Sequence, residues 1–253
     1  MKVAVITPYF QEPQHWIERC VASVRVQTHP CTHFMMSDGQ PLDALDQAGV
    51  RHVRLGRAHA DYGNTPRAIG AQLAVAEGFD AIAFLDADNW FDTDHVEICI
   101  EAAMRSNADV VIAKRRMVRA DGSHMPVVIC DDADGSHVDT NCFFLQFGAF
   151  HTLARWLLMP KPMAMWADRF YLASLREEGL SEVLTSRTTV NYLCTWANVF
   201  RSIGEEPPAY AKAGLPVQQF ADWLGRLQPS DLEQVRRLSG CCIDKALRPA
   251  RPT

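Results

Sequence analysis

Two aspartates, Asp86 and Asp88, leave the carboxyl end of the apolar run Ala81 to Leu85. Carboxylates in that place sit at the crevice where open α/β sheets bind ligands, and their hard oxygens suit Mg²⁺ or Mn²⁺ bridging to a substrate phosphate. Spacing alone does not select them, because Asp-x-Asp recurs at 92/94 and 132/134. Position does, since the second pair falls at a helix start and the third in a turn. The alternative for 86 and 88 is to cap the following helix or line a turn.

Four further segments carry groups of interest. The opening run Val3 to Tyr9 ends in a ring that can face a base and includes a hydroxyl, Thr7, that can bond its edge; core packing is the alternative for Tyr9. Asp38, in Ser37-Asp38-Gly39, could accept hydrogen bonds from a ribose or a pyrimidine N–H, or simply shape a turn. Arg67 falls in the first turn of a helix, where the macrodipole disfavours a cation; it answers either a diphosphate charge or a surface salt bridge. Asp168, beside Trp166, reads as a helix N-cap or as a general base whose proton affinity is raised by an apolar wall.

Alternating apolar runs and amphipathic segments must position these groups. Strands are expected at Val3–Thr7, Thr32–Ser37, Val50–Leu55, Asp80–Leu85 and Asp109–Ala113, with helices at Pro13–Gln27, Asn64–Ala76 and from an Asp92 N-cap to Ser106. That order predicts βαβ units feeding a mostly parallel sheet. A hairpin follows, from Arg116–Ala120 through Asp121-Gly122 to Met125–Cys130, then an acidic loop at 131–134, a strand Val138–Leu145 and a helix Gly148–Leu158. Helical spacing returns at Ala167–Glu178, a short strand or turn lies around Val183–Val190, and helices are expected near 216–227 and 231–239, the last with a Ser230/Glu233 capping box. Arg248–Thr253 reads as a loose tail.

Composition bounds the rest. The 253 residues, 48% hydrophobic and 22% charged, suffice for a substantial core and are read as one domain. A formal charge of -5 gives no electrostatic footprint for duplex binding, so nucleic acid is not an expected partner. No apolar run reaches the ~20 residues of a membrane span, so contact with a membrane is peripheral at most. The eight cysteines form no framework and read as reduced thiols in a cytoplasmic protein without a signal peptide.

In order and spacing, VITPYFQE at 5–12, MMSDG at 35–39, GNTPRAIGAQLAVAEGFDAIAFLDAD at 63–88 and WADRFYLASLREEG at 166–179 resemble the family-2 glycosyltransferases with a GT-A fold. The resemblance implies a mostly parallel central sheet flanked by helices, with a smaller antiparallel element. It implies a nucleotide-binding half at 1–115, an acceptor half at 116–190 and a C-terminal helical extension at 191–253. Carried over, Thr7, Pro8, Tyr9, Glu12, Asp38 and Arg67 would bind nucleotide, Asp86 and Asp88 would bind Mn²⁺ or Mg²⁺ and the sugar diphosphate, and Asp168 would be the base. His137, Asp139 or Asn141 would complete a metal or acceptor contact. Phe10 stands where the family has Asn, and Ala167 where it commonly has Glu. The Arg155-Trp156 pair precedes Asp168, whereas processive membrane synthases carry theirs after it, in a Q-x-x-R-W motif. The expected activity is inverting, non-processive hexosyl transfer from a nucleotide sugar, a UDP-sugar foremost, to a saccharide, lipid-linked or protein acceptor. The alternatives are a non-catalytic nucleotide-sugar-binding module and a sugar-1-phosphate nucleotidyltransferase, whose glycine-rich basic loop has no counterpart at Thr7–Pro13.

Overall fold

The computed structural model describes residues 1–127, 137–214 and 217–243. Its strands are β1 (Val3–Tyr9), β2 (Cys31–Ser37), β3 (Arg51–Arg54), β4 (Ala81–Phe84), β5 (Trp90–Phe91), β6 (Val110–Val118), β7 (Phe143–Gln146) and β8 (Glu182–Leu193). Its α-helices are α1 (Gln14–Arg25), α2 (Asn64–Ala76), α3 (His95–Ser106), α4 (Arg155–Leu158), α5 (Ala167–Glu177), α6 (Ala197–Ser202), α7 (Val217–Leu224) and α8 (Pro229–Ser239).

The described strands form one sheet in the order β3-β2-β1-β4-β7-β6-β8-β5. From β3 to β4 every pairing is parallel. All seven residues of β1 and all four of β4 are buried, as strands covered on both faces require. α1 turns Ile17, Cys20, Val21 and Val24 inward at helical spacing. α2 lies so close to the sheet that a Cβ on Gly70 would stand 2.7 Å from Ile6 Cγ2 and 2.9 Å from Met36. Gly70 is therefore a packing residue. Beyond β4 the sheet is mixed: β7 enters antiparallel between β4 and β6, β8 runs parallel to β6, and β5 pairs antiparallel with β8.

Several expectations are corrected. The N-cap of α3 is Asp94, because the Asp92 carboxylate is held by Asn191 Nδ2 at 2.8 Å and by Arg116. The strand expected at Val138–Leu145 begins only at Phe143: Asp139 Oδ1 accepts from Asn141 N at 3.0 Å and turns 140–142 into a 3₁₀ coil. Helix Gly148–Leu158 is broken into a 3₁₀ segment at Phe147–Thr152, where the Thr152 hydroxyl bonds back to Ala149, and the short α4. The capping box of α8 is Gln228 with Asp231, since Pro229 opens the helix, and Glu233 pairs with Arg236 and Arg237 instead. The expected hairpin forms as far as it is described, with Arg119 N donating to Ser123 O at 2.9 Å, an antiparallel bridge Val118–His124 and Met125 N donating to Met117 O at 3.0 Å; residues 128–130, the loop 131–134 and the tail from 248 lie outside the described residues. Cys20, Cys31, Cys99, Cys194, Cys241 and Cys242 are free thiols, and no described helix is long and apolar enough to cross a membrane.

Substituting Gly70→Ala should lower stability by about 1 kcal/mol. Overpacking against the stiff Ile6 side chain costs about 1–3 kcal/mol, against a helix-propensity gain of about 1 kcal/mol. Urea unfolding at unchanged m-value measures the balance.

Candidate active site

A cleft of about 450 Å³, within the range of small-molecule sites, opens at the carboxyl ends of β1, β2 and β4. Pro8, Tyr9, Glu12, Asp38, Arg67, Asp86, Asp88 and Asp168 all line it. Thr7 does not: it is 0% exposed, and its hydroxyl is hydrogen-bonded to His33 Nε2 at 2.8 Å inside the core. It lies one step inside the strand exit, enclosed by Cys20 of α1 and His33 of β2.

The floor of the cleft is an ion pair between a buried guanidinium and a carboxylate about one third exposed. Arg67, 2% exposed, donates from Nη2 to Asp86 Oδ1 at 2.6 Å and from Nη1 to Asn64 Oδ1 at 3.0 Å, with Trp156 beneath its guanidinium at 5.0 Å. The surface salt bridge considered for Arg67 is thus a core one. Asn141 closes the other side, donating from Nδ2 to Asp86 Oδ2 at 3.1 Å and accepting from the Asp86 backbone N–H at 2.5 Å. Both carboxylate oxygens of Asp86 are engaged. Asp88 differs, because its carboxylate makes no hydrogen bond or ion pair among the described residues. Burial, then the neighbouring Asp86, Glu12 and Asp139, push its carboxyl up to about 7, with Lys212 opposing. An under-compensated carboxylate beside a ligand-sized space fits a hard divalent cation once it is ionised. Among the described residues no three His, Cys, Asp or Glu side chains converge as a cage, which suits an ion that keeps waters and substrate phosphates as ligands.

Asp38 serves a loop. Its carboxylate accepts from His59 Nδ1 at 2.7 Å, from His59 N at 3.0 and 3.1 Å, and from Ala60 N at 3.4 Å. Gly39 admits that loop, since a Cβ there would lie 2.3 Å from Ala58 N. The loop is strained: Ala60 and Tyr62 hold φ of 53° and 58°, in the left-handed region that non-glycine residues rarely adopt. Tyr9 reaches the cleft lining but is 2% exposed, its ring packed in a core cluster with Ile17, Val21 and Met35 as the core-packing alternative has it, and its hydroxyl is bound by His52 Nε2 at 2.6 Å and Leu42 N at 2.9 Å. His52 in turn donates to Asp46 at 2.6 Å.

Asp168 lies in the first turn of α5 and is not its N-cap, which is Trp166. His137 Nε2 donates to Asp168 Oδ2 at 3.0 Å, and Arg169 N donates to Oδ1 at 2.7 Å. Burial raises the carboxyl, but the His137 hydrogen bond and charge, with Arg169, outweigh it and hold the group below its ordinary value. The expected raised proton affinity is corrected: Asp168 is an ionised acceptor at neutral pH. Asp139, bonded to Arg115 Nη1 at 2.6 Å, lines the cleft as well, whereas Asn141, 1% exposed, and His137 stand behind the lining. The structure adds Tyr192, Trp196 and Lys212, which line the cleft from beyond β6. No motif marks them; only the parallel β6–β8 pairing brings them in. Arg155 pairs with Glu178, and Trp156 is core, so that dipeptide stands outside the cleft lining.

The family model "Glycosyl transferase family 2" matches residues 4–177. The chain belongs to this family. It is a glycosyltransferase, and its mixed, largely parallel sheet flanked by helices has the GT-A fold. No curated protein matches. Among solved structures the chain is similar to S. aureus TarS in complex with UDP-GlcNAc, with a TM-score of 0.63 at 12% identity over 94% of this chain and 71% of that one. TarS in complex with UDP gives 0.57 at 12% identity over 94% and 70%, and TarS 1–349 gives 0.58 at 11% identity over 98% and 81%.

Ionisation of Asp88 should be visible in the stability of this family-2 chain. With a native value near 7 against an ordinary 3.8, the folded state binds more protons between those limits, so stability falls as pH rises from about 4 to 7. Asp88→Asn should then stabilise metal-free protein at pH 8 by on the order of 2–4 kcal/mol and have no effect at pH 4. Chemical denaturation at the two pH values checks this.

Proposed function

We propose that this glycosyltransferase moves one sugar from a nucleotide-sugar donor, a UDP-sugar, to an acceptor hydroxyl with inversion, using Mn²⁺ or Mg²⁺, and releases the product after a single transfer. The observation that carries the reading is one cleft lined by both an unpaired carboxylate, Asp88, and an ionised, histidine-bonded carboxylate, Asp168. TarS, which shares the fold, has been solved with UDP and with UDP-GlcNAc, and that supports the choice of donor class.

In this reading Asp88, whose oxygens are open, would hold the metal, and Asp86 would act mainly by fixing the strand end through Arg67 and Asn141. A bound divalent cation would supply charge neutralisation for the departing diphosphate. Lys212, near enough to Asp88 to oppose its raised pKa, adds a second positive charge on the cleft wall. Pro8 and Glu12 would meet the nucleotide at the exit of β1, with the buried Tyr9 supporting that wall. Asp38 holds the loop at 57–63 against the nucleotide side.

Asp168 accepts the proton of the acceptor hydroxyl as that oxygen forms its bond to the anomeric carbon. The bond to the diphosphate breaks with its electron pair, and entry opposite to the leaving group inverts the centre. His137 is a positioning residue that orients Asp168 and keeps it ionised. A base held below its ordinary value is a weak one, so orientation in the closed cleft must carry much of the rate.

Asp168→Asn should reduce transfer by about 10²–10⁴-fold while leaving UDP-sugar affinity intact. Asp88→Asn should lose metal-dependent donor binding. Both are read by product formation from a UDP-sugar panel and by calorimetry, and unchanged turnover in both variants sinks the assignment. Because Asp88 must be ionised to hold the cation, Mn²⁺ affinity should be about tenfold weaker at pH 6 than at pH 8.

A further inference from the structure

A second concavity of about 480 Å³ adjoins the cleft and shares Ala60, Tyr62 and Met165 with it. Its far wall is α7, which seats Phe220 against Trp166 and Phe170, at 6.3 Å between ring centroids in each case. Phe170 belongs to α5, the helix that carries Asp168. The groove therefore leaves the cleft at Tyr62 and Met165 and runs outward along α7.

Its lining has a definite chemistry. Tyr62 at the junction, 62% exposed, and Trp223 on α7 offer aromatic surface over Met165. Lys161 and Arg226 stand in the same lining, which contains no acidic residue. Neither cation forms an ion pair among the described residues; Arg226 Nε donates only to the Asp222 carbonyl, at 2.9 Å. Aromatic faces flanked by uncompensated cations fit a ligand with apolar ring faces and negative charge. The positive φ of Tyr62 adds a separate indication. A bulky side chain kept at 58°, with the loop behind it held by Asp38, is strained, and such strain persists where the surroundings enforce it, characteristically at ligand clamps.

We propose that this groove is the acceptor subsite, and that the acceptor is an anionic saccharide whose sugar ring lies between Tyr62 and Trp223 and whose phosphate or carboxylate lies between Lys161 and Arg226. The assignment rests on the glycosyl-transfer reading of the adjoining cleft. It narrows the acceptor from any hydroxyl compound to a charged glycan, and it gives the C-terminal helices the task of selecting it.

Calorimetric titration of the whole chain tests this with four probes: phosphorylated maltotriose, trigalacturonic acid, neutral maltotriose, and UDP with Mn²⁺. At least one anionic trisaccharide should bind at least tenfold more tightly than maltotriose, and which one does so identifies the source of the charge. In the double variant Lys161→Ala/Arg226→Ala that preference should vanish. Trp223→Ala should weaken the favoured trisaccharide at least tenfold, and Trp223→Phe should restore part of it, which separates a lost ring from a lost fold. Equal binding of neutral and charged trisaccharides, no binding of any of them, or a preference that survives the double variant overturns the subsite. UDP binding to the unmodified protein reports on the cleft independently, so a failed groove with intact UDP binding leaves the transfer reading standing, whereas absence of UDP binding removes that reading itself.

Discussion

The ion pair between the buried Arg67 and the cleft-facing Asp86 is the contact on which the architecture of the cleft turns. A guanidinium at the first turn of α2 is disfavoured by the helix dipole and by burial, and it is tolerated because one carboxylate, one amide and an aromatic face meet it at once. The same carboxylate is bonded to Asn141, whose own side chain ties to the backbone at 86. Three segments distant in sequence are thus joined at one point: the start of α2, the end of β4 and the turn before β7. Removing Asp86 would leave the buried Arg67 guanidinium without its charged partner, which is far more damaging than the loss of a surface bridge.

That arrangement also divides the labour between two aspartates that look equivalent on paper. Asp86 is neutralised and structural in its contacts, whereas Asp88 sits two residues on, among Asp86, Glu12 and Asp139, without a partner of its own. Concentrating negative charge around a dry wall raises the proton affinity of the open group and, for the same reason, its appetite for a metal cation. Asp168 is tuned the other way. His137 and a backbone N–H stabilise its charged form, so the proton affinities of the two carboxylates in one cleft are shifted in opposite directions.

Legibility followed the range of the forces involved. The bounds of α2, Asn64–Ala76, were readable from the helical spacing and the Gly78 stop, and the pairs leaving β4 were readable from the apolar run before them, because those signals are local. Seven further candidates line the cleft with Asp88, since residues at strand exits share one edge of a parallel sheet. Thr7 failed because its enclosure depends on α1 and on a histidine in the next strand. The lowered value of Asp168 depends on His137, thirty-one residues away, and Asp38's engagement on a loop twenty-one residues on. Lys212 and Trp223 carry no motif at all; they belong to the site only through tertiary placement.

The antiparallel insertion of β7 between β4 and β6 has a consequence for how the chain matures. β4 ends at Phe84 and β6 begins at Val110, yet neither finds its inner neighbour until Phe143–Gln146 has been made. During synthesis the amino-terminal strands must wait with a bare, wholly apolar edge, which is the kind of surface that templates aggregation. Closure of the sheet is a late, long-range event, and the ligand crevice comes into being only with it, so a nascent or truncated chain would recruit chaperones before it could recruit substrate.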